Sequence, residues 1–507
     1  MRIAEKSFTR HFFIIAKTER SNMQLYNTEG RKKEEFAPSE QGHVRMYVCG
    51  ITAYDYCHIG HARSAVVFDV LVRYLRHAGY KVTFVRNFTD VDDKIIKRAA
   101  ETGVTCTELS EKFIDAFYED MDKLNVLRAD VEPKATEHIG EMIALAEDLI
   151  QKGFAYPTES GDVYFRVRSF DGYGQLSGRD VDEMRSGARI APGEEKEDPL
   201  DFALWKASKP GEPKWASPWG DGRPGWHIEC SAMSEKYLGL PMDIHGGGQD
   251  LTFPHHENER AQTRAATGEP LARYWVHNGF VMVNAEKMSK SLGNFETIRA
   301  ILKNYLPETV RYFLITKHYR SPIDFTLDNM DEAEKNLKRI YGARRQMNEA
   351  LERGKWSKSP LPDDLAREMA EYERAFEESM ADDLNTAAAL GHVFGAVRLA
   401  GRVLEDKGLR KSEGGRDLFQ RILADLDQWA KVLGVFDREP EEFLAELKQK
   451  RVERKGIDPA KVEDLMNKRQ EARRNKDFTA ADAIRDELDA MGVEVRDTPQ
   501  GAEWDVN

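Results

Sequence analysis

His58-Ile59-Gly60-His61 and, far downstream, Lys287-Met288-Ser289-Lys290-Ser291 hold the side chains best suited to chemistry in this chain. Imidazoles and a glycine at the head of a helix can donate hydrogen bonds to phosphate oxygens. Lysines on a polar loop can neutralise charge as pyrophosphate leaves. His58, His61, Lys287 and Lys290 are therefore the candidate catalytic groups, and the two runs read as halves of an adenylate-forming site. Taken alone, the first run fits ordinary turn histidines and the second an ordinary solvated loop. Their joint presence and the setting of the first favour the chemical reading.

That setting is a strand–turn–helix–strand unit. Val66, Val67, Val70, Leu71, Tyr74 and Leu75 recur with helical spacing behind His61, and Gly79 stops the helix. Val44–Val48 reads as the strand before it and Lys81–Arg86 as the strand after. The first turn of such a βαβ unit is where an α/β sheet binds nucleotide phosphates. Common phosphate fingerprints are absent. No Walker loop occurs, and Gly172-Tyr173-Gly174-Gln175-Leu176-Ser177 lacks a strand before it and reads as a loop. Asp90-Val91-Asp92-Asp93 could bind Mg²⁺, but a strand-end turn with a helix N-cap is the preferred reading.

Two more groups point to a metal. Cys49 ends the first strand, Cys230 lies in Trp226-His227-Ile228-Glu229-Cys230, and His255 and Glu259 stand four apart after Pro254. Such spacing puts the last two on one helix face. Two sulfurs, an imidazole and a carboxylate suit zinc. Buried cysteines beside a helix-start His/Glu pair are the alternative, and His256 is as eligible a ligand as His255.

The whole chain sets the bounds. Its 507 residues suffice for about three domains. A net charge of -13 argues against a general nucleic-acid binder but leaves room for a local basic surface. Four cysteines (Cys49, Cys57, Cys106 and Cys230) suggest a reducing compartment. No apolar run reaches membrane-spanning length, and Phe12–Ala16 is too short for a signal-peptide core. The expectation is a soluble cytoplasmic monomer. Residues 1–22 read as a disordered, dispensable extension and 23–326 as an α/β domain with an irregular insertion at about 125–225. A helical domain at 327–437, a charged linker at 438–458 and a module at 459–507 with two helices and short strands complete the chain.

Tyr47-Val48-Cys49-Gly50, the stretch Ile51–His61, Gly225–Ser231, Asp243–Glu259 and 287–291 together resemble the bacterial cysteinyl-tRNA synthetases, from about Met23 to the C-terminus. The resemblance implies a class I Rossmann catalytic domain with a connective insertion, a helical-bundle domain and a small mixed anticodon-binding module. It also implies ATP-dependent activation of L-cysteine to cysteinyl-adenylate, with Mg²⁺ on ATP, and transfer to the 3′-terminal ribose of tRNA(Cys). It carries zinc ligation, one ion per chain, onto Cys49, Cys230, His255 and Glu259, and leaves Cys57 and Cys106 structural. Nucleotide binding falls on Gly50, Thr52, His58, Gly60, His61, Gly247, Asp250 and Lys290. For Asp250 a solvated loop carboxylate is the alternative to a ribose partner. The cysteine pocket takes in Thr89, Trp226 and His245, with a core role open for Trp226.

Zinc would explain how cysteine is told from serine, since an alcohol is a far poorer zinc ligand than a thiolate. Four protein ligands usually close a site, so the implied chemistry needs a weakly held Glu259. For tRNA, the C-terminal candidates are Lys468, Arg469, Arg473, Arg474, Phe478, Arg485 and Trp504, against the plain alternative of a solvated helix face. Two rival functions stand beside this one. A mycothiol-type cysteine:amino-sugar ligase would lack the long C-terminal half, and an inactive zinc- and RNA-binding module would not need intact His58, His61 and Lys290.

Overall fold

The computed structural model describes residues 23–185, 195–283, 286–287, 296–498 and 501–506. The expectations for residues 1–22 and for Lys290 lie outside these residues. At its centre four parallel strands lie in the order Ala272–Asn278, Met242–Gly248, His43–Thr52, Lys81–Thr89. Met242–Gly247 is buried at every position, as a strand covered on both faces must be. The helix Ile59–His77 crosses from the strand His43–Thr52 to the strand Lys81–Thr89, completing the βαβ unit. Its Val66, Val67, Val70, Leu71, Tyr74 and Leu75 are all buried, each contributing about 1.5–3 kcal/mol of apolar burial. Gly79, at φ 86°, turns the chain back into the sheet.

The strand His43–Thr52 carries a register break between Val48 and Ile51. Gly50 sits in it because a Cβ there would fall 1.6 Å from the carbonyl oxygen of Asn87. Its N–H instead donates to the Asn87 side chain at 2.9 Å. Such a bulge re-aims the neighbouring side chains, and Cys49 is one of them.

The insertion is more regular than its composition suggests. Ala155–Pro157, Val163–Phe165, Phe202–Ala207 and Gly222–Pro224 form a four-stranded antiparallel sheet. Gly172–Ser177 is a loop, as expected. Ser177 donates from N–H and Oγ to Glu257, and the Gly172 carbonyl accepts from Arg260, so the loop buttresses a helix. Asp92 caps the helix Asp93–Thr102 by accepting from Lys94 N–H, while Asp93 pairs with Lys206 and Arg223. The acidic run is thus structural.

Helices Leu327–Arg353, Asp363–Ala381, Thr386–Glu405 and Glu413–Leu433 follow, and their apolar faces join the same core that lines the parallel sheet. Thr386–Glu405 is long and apolar enough to cross a membrane, but half of it is buried in this bundle. The expected linker at 438–458 is instead largely a helix, Pro440–Lys455. Phe443, Leu447 and Arg451, four residues apart, form its buried face, with Phe443 stacked on Tyr341 at 4.0 Å and Arg451 bonded to Glu334. The last module has the helices Pro459–Arg474 and Phe478–Ala490, a hairpin of Val493–Thr498 with Gly501–Val506, and a small apolar core of its own.

Candidate active site

A cavity of about 370 Å³ opens at the carboxyl ends of the parallel strands. Cys49, Gly50, Thr52, His58, Gly60 and His61 line one side, and Trp226, Gly248 and Asp250 the other. His58 caps the helix Ile59–His77. Its Nδ1 accepts from the N–H groups of Gly60 (3.0 Å) and His61 (3.3 Å). Reciprocally, the His58 N–H donates to His61 Nδ1 at 3.2 Å. This is a capping box made of two histidines. Accepting at Nδ1 fixes both neutral rings with the proton on Nε2. The two rings stack, with centroids 3.8 Å apart. A helix N-terminus and two ring N–H groups on one cavity wall suit an anion.

At the other end, Cys49, Cys230, His255 and Glu259 bring one donor atom each to within 4.8 Å of one another. Four separate elements supply them. Cys49 comes from the bulged strand and Cys230 from the first turns of the helix Trp226–Leu238. His255 comes from the irregular turn Thr252–His256, and Glu259 from the helix Glu257–Thr267. The two sulfurs are 3.5 Å apart, and Glu259 Oε1 lies 3.5 Å from Cys49 Sγ and 2.9 Å from His255 Nε2. Two thiolates on one tetrahedral zinc stand about 3.8 Å apart, so the donor set fits that ion. Glu259 Oε2 is taken by His245 Nε2 at 2.7 Å, leaving a single oxygen on the cysteine side. Cys49, His245, His256 and Glu259 form a second, overlapping set. There His245 is committed to Glu259, and His256 Nδ1 to His277 Nε2 at 2.8 Å. Of the two sets, the one with His255 brings both thiols together, and soft sulfur donors suit zinc.

Electrostatics agree with a cation site. Burial alone would raise the Glu259 carboxyl, but His245 and His255 hold it well below the usual range. Burial opposes the Cys230 thiolate too, yet the hydrogen bond from Cys49 and the nearby His255 bring it down to about 6. Burial, then Cys230, pushes Cys49 up, so the pair shares a proton. Against its burial, Glu259 and Cys230 hold His255 protonated up to about 10. A buried cluster that keeps a thiolate and a carboxylate beside a protonated His255 can exchange protons for a metal ion.

A family model of the class I (C) tRNA synthetase catalytic domain matches residues 35–335. The DALR domain matches 375–437, and the cysteinyl-tRNA ligase anticodon binding domain 459–504. A cysteine–tRNA ligase of Nitratidesulfovibrio vulgaris is 71% identical over 484 residues, 96% of this chain and 100% of that protein. One from Oleidesulfovibrio alaskensis is 69% identical with the same coverage, and one from Lawsonia intracellularis 55%. The chain belongs to the cysteine–tRNA ligase family. In fold it is similar to the solved Mycobacterium tuberculosis methionyl-tRNA synthetase in complex with methionyl-adenylate. That match has a TM-score of 0.59 at 14% identity and covers 78% of this chain and 92% of that one.

The remaining candidates of this family member divide clearly. Trp226 stacks on His255 with centroids 4.1 Å apart and lines the cavity, so it is a wall rather than core. Thr89 is buried and donates to Glu229 at 2.6 Å, and His245 is fully buried beneath the donor set. Asp250 is exposed at the cavity rim. Gly247 packs closely against residues that follow it in the chain. A Cβ there would meet His256 and Leu251 at 2.9 Å, so the glycine serves packing beneath the donor set. Lys287 lies in a short strand, opposite Met282, rather than in a loop.

Sequence reasoning missed Asn87, Lys94, His227 and His277. Lys94 lines the cavity from the helix that the acidic run opens. His227 bonds His255 Nδ1-to-Nδ1 at 3.0 Å. Adjacency to Trp226 and to the Asp cluster were the only signals.

On the C-terminal module, Phe478 is 61% exposed, and Lys468, Arg473, Arg474 and Arg485 are exposed. Arg469 is a correction: it is buried and paired with Asp497, which Arg473 also holds. Trp504 donates to Glu463 at 3.0 Å, and Lys448 Nζ sits 3.5 Å over its ring, so that face cannot stack on a base. Another group of cations lies elsewhere. A groove of about 1020 Å³ runs between the helical bundle and the hairpin, lined by Lys335, Arg339, Arg345 and Arg398, with Glu405, Glu494 and Asp505 also on its walls.

Proposed function

We propose that this chain activates L-cysteine with ATP and transfers it to the 3′-terminal ribose of tRNA(Cys). The carrying observation is a single cavity with a thiol-binding donor set at one end and a double-histidine helix cap at the other. Cys49, Cys230, His255 and Glu259 would hold zinc, which when bound supplies a soft site that takes the substrate thiolate and refuses the serine hydroxyl. Trp226 walls the substrate end. His58 and His61 donate through Nε2–H to phosphate oxygens while the cysteine carboxylate attacks the α-phosphate and pyrophosphate departs. Lys287 and Lys290 offset the leaving charge, with Mg²⁺ on ATP. A ribose hydroxyl then attacks the acyl carbon, and AMP leaves.

We divide the chain into a catalytic part at 23–326, a helical part at 327–437 and an anticodon module at 459–507, with the helix Pro440–Lys455 between the last two. The separate small core of the last part supports that division. For tRNA contacts we assign Lys468, Arg474, Phe478 and Arg485 together with the cations of that groove, whose phosphate contacts offset an overall negative chain. A cytoplasmic monomer is the state we assign. The long helical and C-terminal portion favours this reading over an amino-sugar ligase.

The test is cysteine-dependent ATP–pyrophosphate exchange with serine as control, followed by charging of tRNA(Cys). Zinc-loaded protein without exchange, or with equal exchange on serine, would overturn the activation reading. Exchange without charging would favour the amino-sugar ligase.

A further inference from the structure

The seven-residue helix Ile298–Asn304 is fastened at both ends to distant parts of the chain. At its start, the Ile59 N–H donates to the Glu296 carbonyl (3.1 Å) and the Ile298 N–H to the Cys57 carbonyl (3.0 Å). These bonds bracket His58, which itself bridges Thr297. Ile59, Ile298 and Ile301 are buried behind them. Along its side, Arg299 donates to Asp120 at 3.0 Å and lies 4.6 Å over the Tyr56 ring. The histidine cap therefore cannot move independently of this helix.

At its end, where Tyr305 and Leu306 enter the core, the helix also meets a side chain from the helix Pro440–Lys455. Arg454 Nη1 donates to the Asn304 carbonyl at 3.1 Å, and the guanidinium lies 4.3 Å over the ring of Tyr305. Arg454 is itself locked. It donates to both oxygens of Glu334, at 3.1 and 2.8 Å, and to Asp331 at 3.1 Å. Tyr305 OH donates to the same Asp331 oxygen. Glu334 is fully buried and also accepts from Arg451, whose Nη1 donates to the Val506 carbonyl. A fully desolvated carboxylate with two arginines has a defined geometry that a surface pair lacks.

We infer that Arg454 is a positioning residue for adenylate formation: through Asn304 and Tyr305 it sets the helix Ile298–Asn304, and through that helix the His58–His61 cap. It touches neither cavity nor substrate. The inference rests on the proposed function, since the step it serves is the activation of cysteine. A helix this short gains little from its own hydrogen bonds, so its placement depends on what grips its ends.

The test compares Arg454→Met, Arg454→Lys and Arg451→Met in the full zinc-loaded chain. Arg454→Met keeps the aliphatic stem and removes the bonds to Asn304 and Glu334. The kcat of cysteine-dependent exchange should fall by about tenfold, within the range that a misplacement of about 1 Å costs. KM values for ATP and cysteine and the zinc content should stay near wild type. Arg454→Lys should recover part of kcat. Arg451→Met loses a bond to the same Glu334 but none to the helix, and should lower the melting temperature without lowering kcat. Unchanged kcat in Arg454→Met would overturn the inference, and so would equal kcat losses in both methionine variants. Absence of exchange in the wild-type chain would instead strike the proposed function.

Discussion

Replacing His58 by asparagine and by alanine separates the two jobs the ring performs. Its Nδ1 side is structural, taking the N–H groups of Gly60 at 3.0 Å and His61 at 3.3 Å. Its Nε2–H side is the proposed phosphate donor. Asparagine is a strong N-cap, so His58→Asn retains the first job and loses the second. Alanine loses both. The second bond is long, so the cap should contribute about 1 kcal/mol, and His58→Ala should unfold at lower urea by that amount while His58→Asn stays near wild type. A donor aimed at an oxygen that gains charge contributes about 2.7–4 kcal/mol to the transition state, or about 10²–10³ in kcat. Both variants should therefore lose exchange by a similar, large factor, despite their different stabilities. Urea denaturation gives the first quantity and cysteine-dependent pyrophosphate exchange at saturating ATP the second. An asparagine variant with wild-type exchange would refute the donor role. One that is as unstable as the alanine variant would refute the cap.

Cys230→Ala should lose bound zinc while keeping the fold, as read by metal analysis and far-ultraviolet dichroism. In the wild-type chain, metal loading should release the proton that His255 holds up to about 10, which a weakly buffered titration detects. Glu308, enclosed by Tyr341 and the Phe436 N–H, is pushed by burial to about 7. A carboxyl whose folded pKa is raised stabilises the fold while protonated. Its contribution is full below the unfolded value of about 4.5 and falls as pH rises to about 7. The loss is at most about 3 kcal/mol, trimmed by partial exposure, and Glu308→Gln should flatten that slope in urea titrations at stepped pH. Phe478→Ala should leave exchange intact and raise the KM for tRNA by about tenfold, because base stacking contributes about 1–3 kcal/mol. Unchanged charging kinetics would remove Phe478 from the tRNA surface.

The histidine cap was legible because its parts are local. His58 and His61 are three residues apart, the helix behind them has a clean apolar stripe, and Gly79 ends it. Half of the metal set was legible for the same reason, since His255 and Glu259 share a helix face across an irregular turn. Cys49 and Cys230 could be grouped with them from residue type alone, and the family resemblance chose His255 over His256. No spacing announces that Tyr47 pairs with His245 across the sheet, nor that a bulge turns Cys49 toward a helix near residue 230. The insertion looked irregular because three of its four strands are three residues long, too short for an alternation to show. The segment 438–458 looked like a linker because an arginine occupies a buried position of its helix. Counting cations misplaced part of the tRNA surface, since composition cannot reveal that Asp497 already holds Arg469 and Arg473.

One local irregularity makes the two ends of the cavity a single site. Asn87 fills the register break with its carbonyl and takes the Gly50 N–H with its side chain. The same side chain lies 3.8 Å from Cys230 Sγ. A regular strand would alternate its side chains and send Cys49 and Val48 to opposite faces on a fixed schedule. With the break, Cys49 reaches Cys230 while Thr52, three residues on, still pairs with Thr89 and lines the nucleotide side. Substrate sulfur and α-phosphate must sit a fixed distance apart, because the cysteine carboxylate that attacks phosphorus is only a few bonds from the thiol. One strand contributes to both ends, with Cys49 in the donor set and Thr52 on the cavity wall beyond it. The backbone between Val48 and Thr52 therefore serves both the donor set, through Cys49, and the wall of the cavity, through Gly50 and Thr52.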